Sequence, residues 1–192
     1  MSDLSTERIQ AFFDEVASDW DRMRIAYYDE GVIELMATSA ELDRSMTVAD
    51  IGAGTGFVAA GVASRVARVI AVDSSPEMLA VARHNLATLN IENVELVEGD
   101  IEALPLADGS VDAAFANMVL HHAQNPAAML AEMARIVRPG GTVAICDEVE
   151  HPYEWMRTEH ADVWLGFSEP QVRAFFAAAG LDSPTIESLG RQ

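Results

Sequence analysis

Apolar residues recur at helical spacing at Ile9, Phe12, Phe13 and Val16, and again at Val32, Ile33, Leu35, Met36 and Leu42, which predicts helices over residues 6–16 and 29–42. The period then changes. Thr47-Val48-Ala49-Asp50-Ile51 reads as a buried strand, and Gly52-Ala53-Gly54-Thr55-Gly56 breaks it into a tight turn that opens a helix to about residue 66. A second apolar strand over 69–73 is followed by Ser74-Ser75-Pro76, a serine cap with proline in the first turn, which starts a helix to about residue 89. Strands over 94–97, 111–116 and 142–146 and a helix over 126–137 complete the alternation. Strands alternating with helices predict an α/β fold with a doubly wound, mostly parallel sheet.

Beyond Glu150 the alternation lapses. Residues 151–167, rich in aromatics and charge, are expected to lie over the site. A helix over 169–179 closes at Gly180, and 184–189 are expected to add one more strand. No repeat, low-complexity tract or linker divides the chain, so residues 1–192 are expected to be one domain. Its parts are N-terminal helices or a lid (1–45), the ligand-binding core (46–149) and a substrate-covering segment with the last helix and strand (150–192).

Composition narrows the chemistry. The 192 residues carry 12 basic and 31 acidic side chains, a formal charge of -19, which opposes binding to nucleic acid or to an anionic membrane face. No apolar run approaches the roughly 20 residues that span a bilayer, and residues 1–10 hold no stretch of signal-peptide length. All twelve basic residues are arginine, so chemistry that needs an amine, such as a Walker-type loop or a Schiff base, is excluded. The single cysteine, Cys146, makes neither an intrachain disulfide nor a multi-thiolate zinc site, and a reducing cytoplasm is the expected setting.

In an open parallel sheet the ligand lies beyond the carboxyl ends of the strands, so the residues that end each strand are the informative ones. After the first strand, glycines let the backbone turn sharply and approach a ligand, and the next helix offers free amides. The plain alternative is a strand-to-helix turn. A dinucleotide fingerprint asks for glycine or alanine where Phe57 stands, which disfavours a nicotinamide cofactor. Asp73 ends the second strand, where a carboxylate can accept from both hydroxyls of a ribose or serve as a helix cap. Gly99-Asp100-Ile101 follows the third and could read the edge of an adenine ring.

Together Val48-Ala49-Asp50-Ile51-Gly52-Ala53-Gly54-Thr55-Gly56, Val72-Asp73-Ser74-Ser75-Pro76-Glu77-Met78-Leu79, Glu98-Gly99-Asp100-Ile101-Glu102-Ala103-Leu104-Pro105, Val119-Leu120-His121-His122 and Arg135-Ile136-Val137-Arg138-Pro139-Gly140-Gly141 resemble the class I S-adenosylmethionine-dependent methyltransferases. The likeness is to the small-molecule branch that includes the ubiquinone and menaquinone biosynthesis enzymes. It implies a Rossmann-like sheet, S-adenosylmethionine as cofactor, S-adenosylhomocysteine as product and a small-molecule acceptor. It also implies that Asp50, Gly52, Ala53, Gly54 and Gly56 form the turn holding the methionine part, that Asp73 with Ser74 holds the ribose and that Asp100 and Ile101 hold the adenine. It further implies that Met78 and Met118 supply apolar walls for the ring and that Asn117 and Met118 lie near the reactive methyl. His122 and His121 are the catalytic candidates, with His122 expected to face the substrate; the plain alternative is that they pack.

Trp20, Met23, Tyr27 and Tyr28 read equally as a lid or as helix packing. Asp147, Glu148, His151, Glu154, His160 and Asp162 form no compact ligand motif, and no metal is expected. Arsenite methyltransferases hold their substrate with several thiolates, which Cys146 alone cannot supply. The family's sheet ends in two further strands where this chain offers one candidate, so a shortened sheet is expected, from a truncated chain or with a second copy covering the exposed edge as a homodimer. A nicotinamide oxidoreductase and a non-catalytic module that binds S-adenosylmethionine are the alternatives.

Overall fold

The computed structural model describes residues 5–189; the expectations for residues 1–10 and for the ends of the 1–192 domain therefore fall partly outside the described residues. Three helices precede the sheet: α1 (Thr6–Val16), the single turn α2 (Trp20–Met23) and α3 (Gly31–Ser39), which begins later than the spacing predicts because the Asp29 carboxylate accepts from the Gly31 amide at 2.8 Å. Then follow β1 (Thr47–Ile51), α4 (Phe57–Val62), β2 (Arg68–Asp73), α5 (Pro76–Thr88), β3 (Val94–Glu98), β4 (Val111–Asn117), α6 (Pro126–Ile136) and β5 (Val137–Cys146), with α7 (Met156–Glu159) and α8 (Glu169–Ala178) last.

The five strands are parallel in the order β3-β2-β1-β4-β5. Ile51 pairs with Val72 on one side and Ala116 on the other, and Asp73 pairs with Glu98, so the carboxyl ends of four strands lie side by side. The order reverses at β1 and β4, the place where such sheets bind ligands.

Both faces of the sheet are covered, as all-parallel strands require. On one, Ile51, Val72 and Ala116 pack with Met129, Leu130, Met133 and Ile136 of α6 and Phe176 of α8. On the other, Val48, Val69 and Phe115 pack with Val32 and Met36 of α3 and Val58 and Val62 of α4. Each such fully buried side chain contributes about 1.5–3 kcal/mol of transfer free energy. Two helices that bear on the site start as the sequence directs. Ser75 Oγ accepts from the Met78 amide at 3.0 Å before Pro76, and Asn125 Oδ1 accepts from the Ala128 amide at 3.3 Å before Pro126.

The strand expected over 184–189 does not form. Residues 181–189 lie as coil, with Ile186 and Leu189 exposed, so no buried face favours pairing. Arg173 of α8 instead donates to the Ser183 hydroxyl at 2.9 Å and to the Pro184 carbonyl at 3.0 Å. β5 is thus an edge strand among the described residues. Among those residues no helix is long and apolar enough to cross a membrane.

Candidate active site

A cavity of about 390 Å³ opens over the carboxyl ends of β1 to β4. Its floor is the turn after β1. Gly52, Gly54 and Gly56 all have positive φ, at 67°, 53° and 84°. The Gly52 and Ala53 amides both donate to the Val72 carbonyl, at 2.8 and 3.0 Å, which folds the turn back onto β2. At Gly52 a β-carbon would stand 2.3 Å from Val119 Cγ2, so only glycine brings the turn this close to the segment that follows β4.

Two buried carboxylates brace that turn. Asp73 accepts from the Gly54 amide at 2.7 Å and from the Ser75 amide at 2.9 Å. Burial pushes its carboxyl above the usual range, against the pull of these amides. Asp50 accepts from the Ala59 amide at 2.9 Å, and burial, with the nearby Asp73 charge adding, pushes it up to about 7.

Asp100 and Ile101 line the cavity beyond β3, where Asp100 Oδ1 accepts from the Glu102 amide at 2.8 Å. From the end of β4 come Asn117, whose Oδ1 is buried without a hydrogen bond, and Met118, a non-glycine residue at φ 55°. Such a backbone conformation is strained for methionine; here the Met118 amide donates to the Cys146 carbonyl at 2.8 Å.

The N-terminal helices roof the cavity. Ile9 and Phe13 of α1 line it together with Trp20 and Tyr28. Asp14 Oδ1 receives the Ser75 hydroxyl at 2.6 Å, and Asp21 receives the Thr55 hydroxyl at 2.7 Å and the Asn85 amide at 2.9 Å, so hydrogen bonds tie the roof to the turn and to α5. The Arg24 guanidinium lies 3.9 Å from the Phe57 ring centroid.

Past β4 the chain turns through Leu120–His122, which separates the two histidines. His122 lines the cavity and packs edge-on against Phe13, with ring centroids 4.9 Å apart; His121 lies behind it. His121 Nδ1 is 2.8 Å from Asp147 Oδ1, and the other Asp147 oxygen accepts from the Leu120 amide at 2.8 Å. Burial opposes a charge on His121, but Asp147, Asp162 and Glu148 outweigh it and push the imidazole up to about 9. For His122, burial and the neighbouring His121 push the other way, well below the usual value, so its ring is neutral. Its Nδ1 lies 3.3 Å from the Ala161 carbonyl, an acceptor only, so Nδ1 carries the proton and Nε2 the lone pair.

The cavity therefore gathers Asp50, Gly52, Ala53, Gly54, Asp73, Ser74, Met78, Asp100, Ile101, Asn117, Met118 and His122. Gly56 and His121 stand outside its lining. Gly56 caps α4 and packs toward Ala82, and His121 sits under His122. Of the aromatic stretch, Trp20 and Tyr28 reach the cavity, whereas the Tyr27 hydroxyl is 3.3 Å from His160 Nε2. Sequence reasoning missed Ile9 and Phe13. The available signal was the apolar stripe Ile9, Phe12, Phe13 and Val16 of an amphipathic helix, which does not say what it covers.

A family model described as "Methyltransferase domain" matches residues 49–145. The chain is 42% identical over 107 residues to an arsenite methyltransferase of Halobacterium salinarum, covering 54% of this chain and 27% of that protein. It is 33% identical over 161 residues to a demethylmenaquinone methyltransferase of Clavibacter sepedonicus, covering 81% of this chain and 65% of that one. The chain thus spans less than two thirds of the length of these curated relatives. The crystal structure of an S-adenosylmethionine-dependent methyltransferase from Aquifex aeolicus superposes with a TM-score of 0.69 at 25% identity, covering 85% of this chain and 87% of that one. The matched residues are those that build the sheet and most of the cavity floor, and the chain belongs to the methyltransferase domain family, the class I S-adenosylmethionine-dependent methyltransferases.

Proposed function

We propose that the chain transfers a methyl group from S-adenosylmethionine to a small-molecule acceptor. The carrying observation is the convergence of the glycine turn, Asp73, Asp100, Asn117 and His122 on one cavity. The residues present fit the cofactor. Gly52, Ala53 and Gly54 line the cavity and would hold its methionine part, and the Asp73 carboxylate, with lone pairs beyond those its two amides use, accepts from ribose hydroxyls. Asp100 and Ile101 take the adenine edge, Met78 and Met118 its faces, and Asn117 Oδ1 is a buried acceptor in want of a donor. When bound, S-adenosylmethionine supplies an electrophilic methyl carbon on a sulfonium. The chain's own part is to align the acceptor and exclude water, which Phe13 and Trp20 do from above. His122 stands on the acceptor side and promotes loss of a proton from an ionisable acceptor; His121, fixed by Asp147, positions it.

The reading takes the chain as one domain, with 1–45 as lid, 46–149 as cofactor core and 150–192 as acceptor cover. It places the protein in the cytoplasm, as a lone Cys146 suits, and excludes nucleic acid on the charge of -19. At the β5 edge a second copy of the chain is the proposed cover, which sedimentation at increasing concentration tests. A quinol-like or other organic acceptor is favoured over arsenite, because Cys146 is one thiol and burial pushes it up to about 11. Calorimetry with S-adenosylhomocysteine and with NAD, followed by a screen of phenols, quinols, amines and thiols for release of S-adenosylhomocysteine, tests the proposal. Saturable NAD binding without S-adenosylhomocysteine binding overturns it.

A further inference from the structure

Asp162 is the least explained side chain in the protein. It is fully buried, yet neither carboxylate oxygen has a hydrogen bond. Burying a carboxylate in this way is costly unless a cation or donors compensate, and buried acids are ordinarily paired or bound to a metal. With no ion bound, the protonated His121 imidazole is the cation Asp162 faces, and it gives up its Nε2 proton when an ion takes that place; its Nε2 is 3.8 Å from Asp162 Oδ1. That distance is too long for a hydrogen bond. It is the separation of two ligands on one ion, since bonds of about 2.0–2.2 Å to nitrogen and oxygen leave neighbouring ligands about 3–4 Å apart.

The two histidines are already oriented for that task. His121 Nδ1 is held by the Asp147 carboxylate at 2.8 Å and His122 Nδ1 by the Ala161 carbonyl at 3.3 Å. A metal-binding imidazole characteristically donates its other N–H to a carboxylate or backbone carbonyl, which fixes the tautomer and aims the lone pair. His121 thereby turns Nε2 toward Asp162, and one ring nitrogen each of His121 and His122 and one Asp162 oxygen lie within 4.8 Å of one another. Bringing the three onto one ion takes side-chain shifts of about 1 Å. His122 lines the cavity, which supplies an entry path and leaves the ion's remaining positions open toward the acceptor.

We propose that His121, His122 and Asp162 bind one divalent transition-metal ion at the side of the cavity. Two imidazoles and one carboxylate suit zinc, iron(II), cobalt(II) or manganese(II) rather than calcium, which takes six or more oxygens. A second cluster shares Asp162 with Glu148 and His151. It is the weaker candidate, because His151 Nε2 is engaged by Glu148 at 2.8 Å and its Nδ1 receives the Tyr153 amide at 3.3 Å, so neither ring nitrogen is free. The inference rests on the proposed function in placing the ion beside the acceptor; a His122 lone pair that holds an ion is not free to take the acceptor's proton, so the base role of His122 belongs to the ion-free protein.

The test is titration of cobalt(II) into chelator-treated, dialysed full-length protein without methyl donor, followed by visible absorption and calorimetry. The expected result is one saturable equivalent, weakened at least tenfold by Asp162→Asn and by His122→Gln and unchanged by Glu148→Gln. Zinc should raise the melting temperature of the unaltered protein, so the proposal stays testable if a variant fails to fold. Absence of saturable binding of either ion below millimolar concentration overturns it, as does binding that survives both substitutions. A loss on Glu148→Gln equal to that on Asp162→Asn also overturns it, by moving the ion to the second cluster. S-adenosylhomocysteine calorimetry on the same chelator-treated protein keeps the two readings apart: failure there with cobalt bound refutes the cofactor assignment alone.

Discussion

The Gly54 amide donates to Asp73 Oδ2 at 2.7 Å, so one carboxylate at the end of β2 holds the turn at the end of β1. Asp73 thus shapes the cavity floor, and in the proposed function it also takes the ribose. Asp73→Ala removes both tasks, and at about 1.5–3 kcal/mol for each hydrogen bond to a charged group the affinity for S-adenosylhomocysteine should fall at least tenfold. Thermal stability should fall with it, because the Gly54 and Ser75 amides lose their acceptor. Unchanged affinity by calorimetry refutes the assignment.

Gly52→Ala probes the floor itself. The added carbon meets Val119 Cγ2 at 2.3 Å on a backbone already at φ 67°, so either the turn or Val119, just past β4, must move. Binding of S-adenosylhomocysteine should be lost or reduced more than tenfold, while the far-ultraviolet circular dichroism of the sheet persists. Binding of ordinary strength would show that the turn does not meet the ligand.

Trp20 tests the roof. It lines the cavity, and its Nε1 is 3.7 Å from where a Gly54 β-carbon would stand. In a Trp155→Phe, Trp164→Phe background the remaining tryptophan should change its emission when S-adenosylhomocysteine binds, and Trp20→Ala should weaken binding several-fold. An emission spectrum blind to the ligand removes Trp20 from the site.

How legible the site was depends on whether each residue's role is local. The glycine turn, Asp73 and Asp100 stand at or just past strand ends, and a short continuous apolar run followed by glycine or serine-proline announces a strand end within a few residues. The roof is different. Phe13 touches His122 across more than a hundred residues of sequence, and nothing in a helical stripe says which partner covers it. Asp162 was likewise hidden, because its place beside His121 is set by the path of residues 151–167, where periodicity lapses. The expected strand at 184–189 failed for the converse reason: its two large apolar residues, Ile186 and Leu189, stand three apart and find no sheet face to cover.

Asp50 gives a pH prediction. Its folded carboxyl, pushed up to about 7 from an ordinary 3.8, keeps its proton where the unfolded chain has lost it. Stability from this group is complete below pH 4 and declines as pH rises from about 4 to 7, because over that span the folded state binds more protons. Asp50→Asn keeps an oxygen for the Ala59 amide and cannot ionise, so its stability relative to the unaltered protein should improve by a few kcal/mol between pH 4 and 8. Denaturant melts at both pH values check this; a constant difference would mean Asp50 ionises normally.

His122 carries the last prediction. Because it lines the cavity and in the proposed function stands on the acceptor side, His122→Ala should lower turnover by about 10²- to 10⁴-fold while leaving affinity for S-adenosylhomocysteine within a few-fold. The ring also packs against Phe13, so some stability is lost with it, and the comparison must be made well below the variant's melting temperature. His122→Gln, which refills part of the space and offers no imidazole lone pair, separates the two effects: packing alone predicts recovered turnover, and chemistry at Nε2 predicts none. His121→Ala should act more weakly on the acceptor and more strongly on stability, since it strands the buried Asp147 and Asp162 carboxylates without their imidazole. Equal losses of cofactor binding and turnover in His122→Ala would mean that the histidine only packs.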